Sequence, residues 1–311
     1  MAQYLLRRLL WSIPVVLGVA TLVFALIHIV PGDPIDIMLG EQAAAVDREA
    51  LRRELGLDRP RYEQYGRFLG GLLQGDLGAS LTTRRPVVAT VLKRYPATLE
   101  LAVAAMVICL VVAVPLGTIA AVHRGGALDR VTTLVALVGV SMPNFWLGPL
   151  LILAFSIHLD WLPVSGRGSV AHLVLPAVTL GTSMAALVAR MVRSSLLEVL
   201  SAGYVATAAA KGLPRWRVVT KHALRNALIP VVTIIGLQIG ALLAGAVVTE
   251  KIYSWPGIGG LIITAIGGRD YPLVQGCVLA IALTYVFVNL LTDLAYTLVD
   301  PRIDLAGGRR V

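Results

Sequence analysis

Charge is what this chain has least of. Only 14% of its 311 residues are Asp, Glu, Lys or Arg, against about 25% in an ordinary soluble domain. Six windows contain none at all: 9–32, 101–123, 131–159, 168–189, 226–249 and 271–292. Each window is longer than the roughly 20 residues that carry a helix across a bilayer core, so a water-soluble fold is excluded. Aromatic residues are scarce, at 6%, and there are two cysteines, Cys109 and Cys277. Both cysteines lie in charge-free windows, where a pair alone makes no metal site and reads as small packing residues. The dipeptide Gly-Lys occurs nowhere, which excludes the phosphate-cradling loop G-x-x-x-x-G-K-[ST]. The histidines (His28, His123, His158, His172 and His222) are scattered, and no metal-ligand cluster or nucleophile–base arrangement is visible.

What is there is a run of apolar helices, with a mean hydropathy of +0.79. Taken as six spans, the windows sort the charges unevenly. One side holds fourteen lysines and arginines against four acidic residues; the other holds thirteen of each, and Asp293 inside the last span closes the total at +9. Basic residues stay in the cytoplasm, which places both termini there. The high isoelectric point therefore reports membrane orientation, and nucleic acid is not an expected partner. Arg7-Arg8 and the apolar run after them are expected to be the first span. The run is too long for a signal peptide's apolar region, and no small-residue cleavage site precedes Pro31-Gly32-Asp33-Pro34.

The expected fold is an all-α polytopic membrane protein of six transmembrane helices, with a small helical subdomain outside the membrane after helix 1. Residues 1–30 hold the first span and 31–97 the outside subdomain. Residues 98–299 hold the remaining spans at 98–121, 132–157, 172–193, 228–249 and 275–299, and 300–311 form a cytoplasmic tail. The subdomain pattern predicts one helix over 47–55 closed by Gly56 and another over 60–73 closed by Gly75. Pro143 predicts a kink in the third span. The charge-free window 252–268 has only 17 residues, with Pro256 and five glycines, and reads as a short re-entrant or surface helix.

The polar stretch 200–227 between spans four and five is too long for a simple turn. Its alanine-rich part, Ser201 to Lys211, favours helix, and Gly212 stands ready to end it. A second helix is predicted from Pro214. On it Arg217, Lys221 and Arg225 fall within about 80° of one another, and Trp216, Val219, Ala223 and Ala227 lie opposite. That is an amphipathic helix expected to lie along the membrane surface. The face of Tyr204 to Ala210 is small and nearly neutral, suited to a groove on another protein or, more plainly, to a loop that only sets topology.

The same stretch resembles the "EAA" loop of bacterial ABC-transporter permease subunits, in the form of the dipeptide/oligopeptide/nickel branch. The matching residues are Tyr204-Val205-x-Thr207-Ala208-x-Ala210-Lys211-Gly212-Leu213 and His222-Ala223-Leu224-Arg225-Asn226-Ala227-x-x-Pro230. Further matches are Pro31-Gly32-Asp33-Pro34, Leu55-Gly56-Leu57-Asp58-x-Pro60, Gly75-Asp76-Leu77-Gly78-x-Ser80, Pro96-Ala97-Thr98-Leu99-Glu100 and Ser141-Met142-Pro143-x-Phe145-Trp146. Ser254-Trp255-Pro256-Gly257-Ile258-Gly259, Arg269-Asp270-Tyr271-Pro272 and Asp300-Pro301-Arg302 complete the series. Ala206 stands where the wider loop pattern has a glutamate.

The resemblance implies an inner-membrane permease subunit of an ATP-driven importer, forming half of a path for di- or oligopeptides; nickel and glutathione are the alternative cargoes. Its implied partners are a paralogous permease subunit, two ATP-binding subunits, a periplasmic solute-binding protein and membrane lipid. This chain would hold no cofactor, ATP and Mg being bound by the partner subunits. The 201–212 helix would couple to the ATPase through Tyr204, Thr207, Ala208, Ala210, Lys211, Gly212 and Arg225, with a plain surface role equally open for Arg225. The rival class is an ion-coupled secondary transporter, for which Asp293, and Glu250 at a span edge, are the available carboxylates. For Asp293 a packing hydrogen bond with Asn289 is as good a reading.

Overall fold

A computed structural model describes residues 2–29, 35 and 45–299. Pro31 to Pro34, Asp300-Pro301-Arg302, the 300–311 tail and the side chain of Asp293 lie outside the described residues. The regular secondary structure of the described residues is all helical. Their only strand-like pairing is an isolated bridge between Ala79 and Pro86.

The helices run in order as α1 (Ala2–Ile29), α2 (Ala45–Glu54), α3 (Arg61–Gln74), α4 (Val87–Val122) and α5 (Ala127–Ser141). Next come α6 (Asn144–Leu151, continued by π-helical turns to His158), α7 (Val170–Leu200) and α8 (Gly203–Ala210). Then α9 (Arg215–Ala227, π-helical over Val218–Ala223), α10 (Ile229–Ile252), α11 (Ile258–Gly267) and α12 (Tyr271–Val299) complete the order.

Each expected span in 98–299 falls on a helix, with two differences. The helix expected over 98–121 begins at Val87, so its first turns precede the apolar window. The third span is broken where a kink was predicted. Met142 is extended (φ −91°, ψ 112°) because the following proline disfavours helical backbone, and α5 and α6 meet at 99°. By length and composition, among the described residues, three helices can cross a membrane outright, and two bent pairs raise that to five. The expected re-entrant segment is α11, ten residues long.

Contacts divide the chain into two compact units. One holds the described residues of 2–4, 99–255 and 287–299, the other those of 5–98 and 256–286. In the second unit, α3 ends as its glycine predicted. Gly75 is left-handed (φ 72°), Asp76 N donates to Gly71 O at 2.8 Å, and Gly75 N donates to Leu72 O at 3.2 Å, a Schellman closure. Phe24 of α1 packs on Tyr65 and Phe68 of α3, at ring separations of 5.1 and 5.9 Å.

Two of the sequence motifs meet in this unit. Asp270 is buried (1% exposed), and its carboxylate accepts from Ser80 Oγ, from Leu81 N at 3.0 Å and from Thr82 N at 3.3 Å. It also accepts from Leu273 N at 3.3 Å in the first turn of α12. One carboxylate thus caps a helix and pins the turn that begins at Ser80, joining the two motifs. Thr98 Oγ1 in turn accepts from Ile258 N at 2.8 Å and seats the start of α11.

In the first unit α7 is the hub, packing on α5, α6, α9 and α10. It runs parallel to α4 and touches it backbone to backbone. A Cβ on Gly181 would lie 2.6 Å from the carbonyl of Ala105, and one on Gly117 would lie 2.5 Å from that of Ala189. Small residues permit such approach where lipid supplies no hydrophobic drive between helices. Tyr253, at the end of α10, is buried and locks the broken span. Its hydroxyl contacts Thr179 Oγ1 at 2.9 Å and donates to Gly148 O at 3.2 Å.

Gly117→Ala is therefore expected to destabilise by ~1–3 kcal/mol, seen as a lower melting temperature of the purified protein. Gly70→Ala in α3 meets nothing within 4 Å and is expected to be neutral or stabilising by ~0.5–1 kcal/mol. Equal melting temperatures for the two variants would contradict the close α4–α7 crossing.

Candidate functional site

The segment between α7 and α10 carries the densest set of expected functional residues, and its backbone is tightly specified. Ser201 closes α7, donating from N and Oγ to Glu198 O at 3.2 and 2.7 Å. Ala202 is extended, and α8 then begins at Gly203. The helix expected over 201–212 is thus shorter at both ends. Lys211 sits at its C-cap, and Gly212 turns the chain out in the left-handed region (φ 78°) while its N–H donates to Ala209 O at 3.0 Å.

Burial splits the expected contact residues. Tyr204, Thr207, Ala210, Lys211, Gly212 and Arg225 are exposed. Ala208 is not: with Val205 it faces inward onto a core of Ala121, Leu196, Val218, Val219, Ala223 and Ala227. The reason is helical spacing, since 205 and 208 share one face and the end of α7 occupies it. Thr207 spends its hydroxyl inside the helix, donating to Gly203 O at 3.0 Å. Exposed α8 is therefore an almost purely steric surface, with Tyr204 at one end and Lys211 at the other.

The α9 helix corrects a second expectation. Pro214 stands one residue before the helix as its extended N-cap (φ −62°, ψ 142°). The π-helical turns over Val218–Ala223 re-space the side chains, so that Val218, Val219, Ala223 and Ala227 are all buried, whereas Trp216 is 63% exposed. The apolar face is consumed by α7 and α8 and is not laid on lipid. Trp216 packs instead beneath the Arg217 guanidinium, 5.2 Å from the ring centre.

Two residues not singled out as site residues fasten the loop. Asn226 Nδ2 donates to Tyr204 Oη at 2.7 Å, joining α8 to the end of α9 beside Arg225. Arg215 donates to Val122 O at 3.2 Å, tying the loop to the end of α4. Asn226 lay within the quoted motif, but nothing in the sequence marks Arg215 apart from its neighbours. No acidic residue occurs between Glu198 and Glu250, so the exposed surface of Lys211, Arg215, Arg217, Lys221 and Arg225 is uniformly cationic.

A bidentate ion pair braces the same end of the unit. Arg193 of α7 donates from Nε to Asp129 Oδ1 and from a terminal nitrogen to Oδ2, both at 2.8 Å. Gly125 N adds a bond to Oδ2 at 2.9 Å. The α4–α5 turn is thereby fixed to α7 half a dozen residues before α7 gives way to the α8 loop. Among the described residues no group of three or more His, Cys, Asp or Glu side chains is placed to hold a metal ion.

Comparison with known proteins decides the class. The profile of the "Binding-protein-dependent transport system inner membrane component" family matches residues 113–305, and that of the corresponding N-terminal membrane component matches 1–102. This chain is a member of that family. It is similar, at 47% identity over 97% of this chain and 99% of the other, to the dipeptide transport system permease protein DppB of Escherichia coli K12. The di/tripeptide transport system permease protein DppB of Pseudomonas aeruginosa UCBPP-PA14 is 48% identical with the same coverage. The glutathione transport system permease protein GsiC of Escherichia coli O6:H1 is 44% identical, again over 97% and 99%. Among solved structures, an inward-facing MetNI methionine ABC transporter chain superposes with a TM-score of 0.57 at 20% identity, covering 68% of this chain and 96% of that one. That likeness supports the permease fold. The family member described here is thus an inner-membrane, multi-pass permease subunit of an ABC importer, a class that works with ATPase and substrate-binding components.

The Asp129–Arg193 brace gives a test. Asp129→Asn removes the charge from a bidentate acceptor and leaves the Arg193 fork without its counter-charge, so the variant is expected to melt at a lower temperature than wild type. In a double-mutant cycle, Asp129→Asn combined with Arg193→Gln should cost less than the sum of the single changes. Strict additivity would show that the pair contributes nothing as a pair.

Proposed function

We propose that this chain forms half of the translocation path of an ATP-driven importer of di- and oligopeptides, the other half being a paralogous permease subunit. It crosses the inner membrane six times with both termini in the cytoplasm, which the basic-residue asymmetry supports. The chain itself binds no nucleotide; two ATP-binding subunits carry ATP and Mg, and a binding protein outside the membrane delivers cargo. The observation that carries the coupling role is α8: a short rigid helix between two left-handed or extended breaks, with a smooth outer face and a buried inner one. Such a helix fits a groove on an ATP-binding subunit, where Tyr204, Thr207, Ala210, Lys211 and Arg225 would make contact. Ala208 would act from behind, setting the height of the face. Rigid-body movement of α8 would then swing α7 and α10, on which the loop is built.

The peptide assignment rests on relatives whose names specify dipeptide and di/tripeptide transport. Glutathione, itself a small peptide, is the second reading, supported by the glutathione permease at 44% identity.

The assembled complex in sealed vesicles decides between energy sources. Uptake of radiolabelled dipeptide should require internal ATP and persist when an ionophore abolishes ion gradients; uptake that collapses with the ionophore instead would assign the chain to ion-coupled transport. A ligand panel on the cognate binding protein, with dipeptides, glutathione and Ni²⁺, assigns the cargo by which of them raises its melting temperature. Deleting 204–212 should abolish co-purification of the ATP-binding subunits while the remaining chain still inserts. Undiminished association would remove α8 from the coupling role.

A further inference from the structure

Between α4, α5 and α7, with Gln238 of α10 also in its lining, the first unit holds a half-open cavity of about 830 Å³. Its walls change character along the helices. At the end nearest the α4–α5 turn stand Asp129, Arg130, Arg190 and Arg193, and further in the lining is mostly apolar, including Leu134, Leu137 and Leu187, with Ser183 and Gln238 as uncharged polar members. From Arg130 to Leu137 the helix rises about 10 Å, so the cationic mouth and the leucine wall are separate stations in one cavity.

The charges at the mouth do not balance. Arg193 is committed to Asp129 through both oxygens, which leaves the Arg130 and Arg190 guanidinium groups in excess. A metal cation or an ammonium group is repelled there. A small soluble anion would satisfy the arginines and leave the apolar wall wet, and a neutral hydrocarbon would do the reverse. An amphiphile with an anionic head and a hydrocarbon chain meets both requirements in the order in which the cavity presents them.

We propose that this cavity is a binding site for an anionic phospholipid of the inner leaflet. The headgroup sits between Arg130 and Arg190, and an acyl chain runs along Leu134, Leu137 and Leu187. Basic pockets between membrane helices recognise lipid headgroups by this chemistry. The assignment of leaflet rests on the orientation proposed above; the pairing of anionic head with arginines does not. A lipid lodged there would touch α5 and α7 on either side of the Asp129–Arg193 brace, so bilayer composition would bear on the same helices that carry the coupling loop.

The test uses the full complex, reconstituted in nanodiscs of phosphatidylcholine with increasing phosphatidylglycerol. Bound phosphatidylglycerol is read by native mass spectrometry after gentle release. Wild type should retain phosphatidylglycerol, and R130Q/R190Q should need about thirtyfold more of it for the same occupancy. That factor equals two cations at ~1 kcal/mol each, converted at 1.4 kcal/mol per tenfold. The charge-preserving R130K/R190K variant should retain it, which separates lost charge from lost fold. Retention should also fall as salt screens the arginines. Equal retention by wild type and R130Q/R190Q overturns the proposal, and so does absence of retained phosphatidylglycerol in wild type. Displacement of the lipid by inorganic phosphate alone, or by a dipeptide, overturns it too, since either would assign the cavity to a soluble anion or to cargo. None of these readouts requires transport, so they stand apart from the vesicle experiment on function.

Discussion

The hydrocarbon core of a bilayer offers a peptide group no hydrogen-bond partner, and nearly everything else in this molecule answers to that. Every apolar segment must satisfy its own backbone, which a helix does. Hydrophobicity then no longer distinguishes helix–helix contact from helix–lipid contact, so packing needs other means. The chain uses close backbone approach at Gly117 and Gly181, buried hydroxyl pairs such as Thr179 with Tyr253, and few charges. Where the backbone does leave helical geometry inside the apolar run, at Met142-Pro143, the break is held by protein. Tyr253 reaches across to the carbonyl of Gly148 just beyond it.

Charge is sparse in the spans, Asp293 being the exception well inside one, and it gathers near their ends, where it does two kinds of work. The Asp270 carboxylate organises a turn and a helix start through four donors, and Asp129 binds a turn to α7 through three. In each case one carboxylate draws together segments distant in sequence. The cations without carboxylate partners, on α9 and at the cavity mouth, form exposed cationic surfaces; under the readings proposed above, one would meet an ATP-binding subunit and the other lipid.

Much of this was legible in the sequence because each signal had a single physical meaning. Charge-free windows announced apolar helices, glycines at 75 and 212 announced helix ends, and Pro143 announced a departure from helix. What was not legible depended on partners brought from elsewhere. A helical wheel drawn at 100° per residue put Trp216 with Val219 and Ala223, and the π-helical turns then re-spaced them. Ala208 read as an outward contact residue because nothing local says that α7 would cover it. The motifs around Ser80 and Asp270, more than 180 residues apart, gave no hint in either one that they were halves of one interaction. Spacing along a chain reveals local geometry; it carries no information about which carboxylate will arrive at which turn.

The loop between α7 and α10, proposed above to couple, shows why such arrivals would matter to function. A helix of eight residues has no independent stability in water, so α8 can transmit movement only if it is rigidly held. Val205 and Ala208 bury its inner face against α7 and α9, the Tyr204–Asn226 bond fixes one end, and Arg215 fastens the next segment to the end of α4. The α4–α5 turn is in turn braced to α7 through Asp129 and Arg193. The inner face of α8 is thus held against α7, the helix on which α5, α6 and α10 all pack. Under the coupling role proposed above, the inward and bridging residues would make the loop a lever, and the outward ones would make it a docking surface.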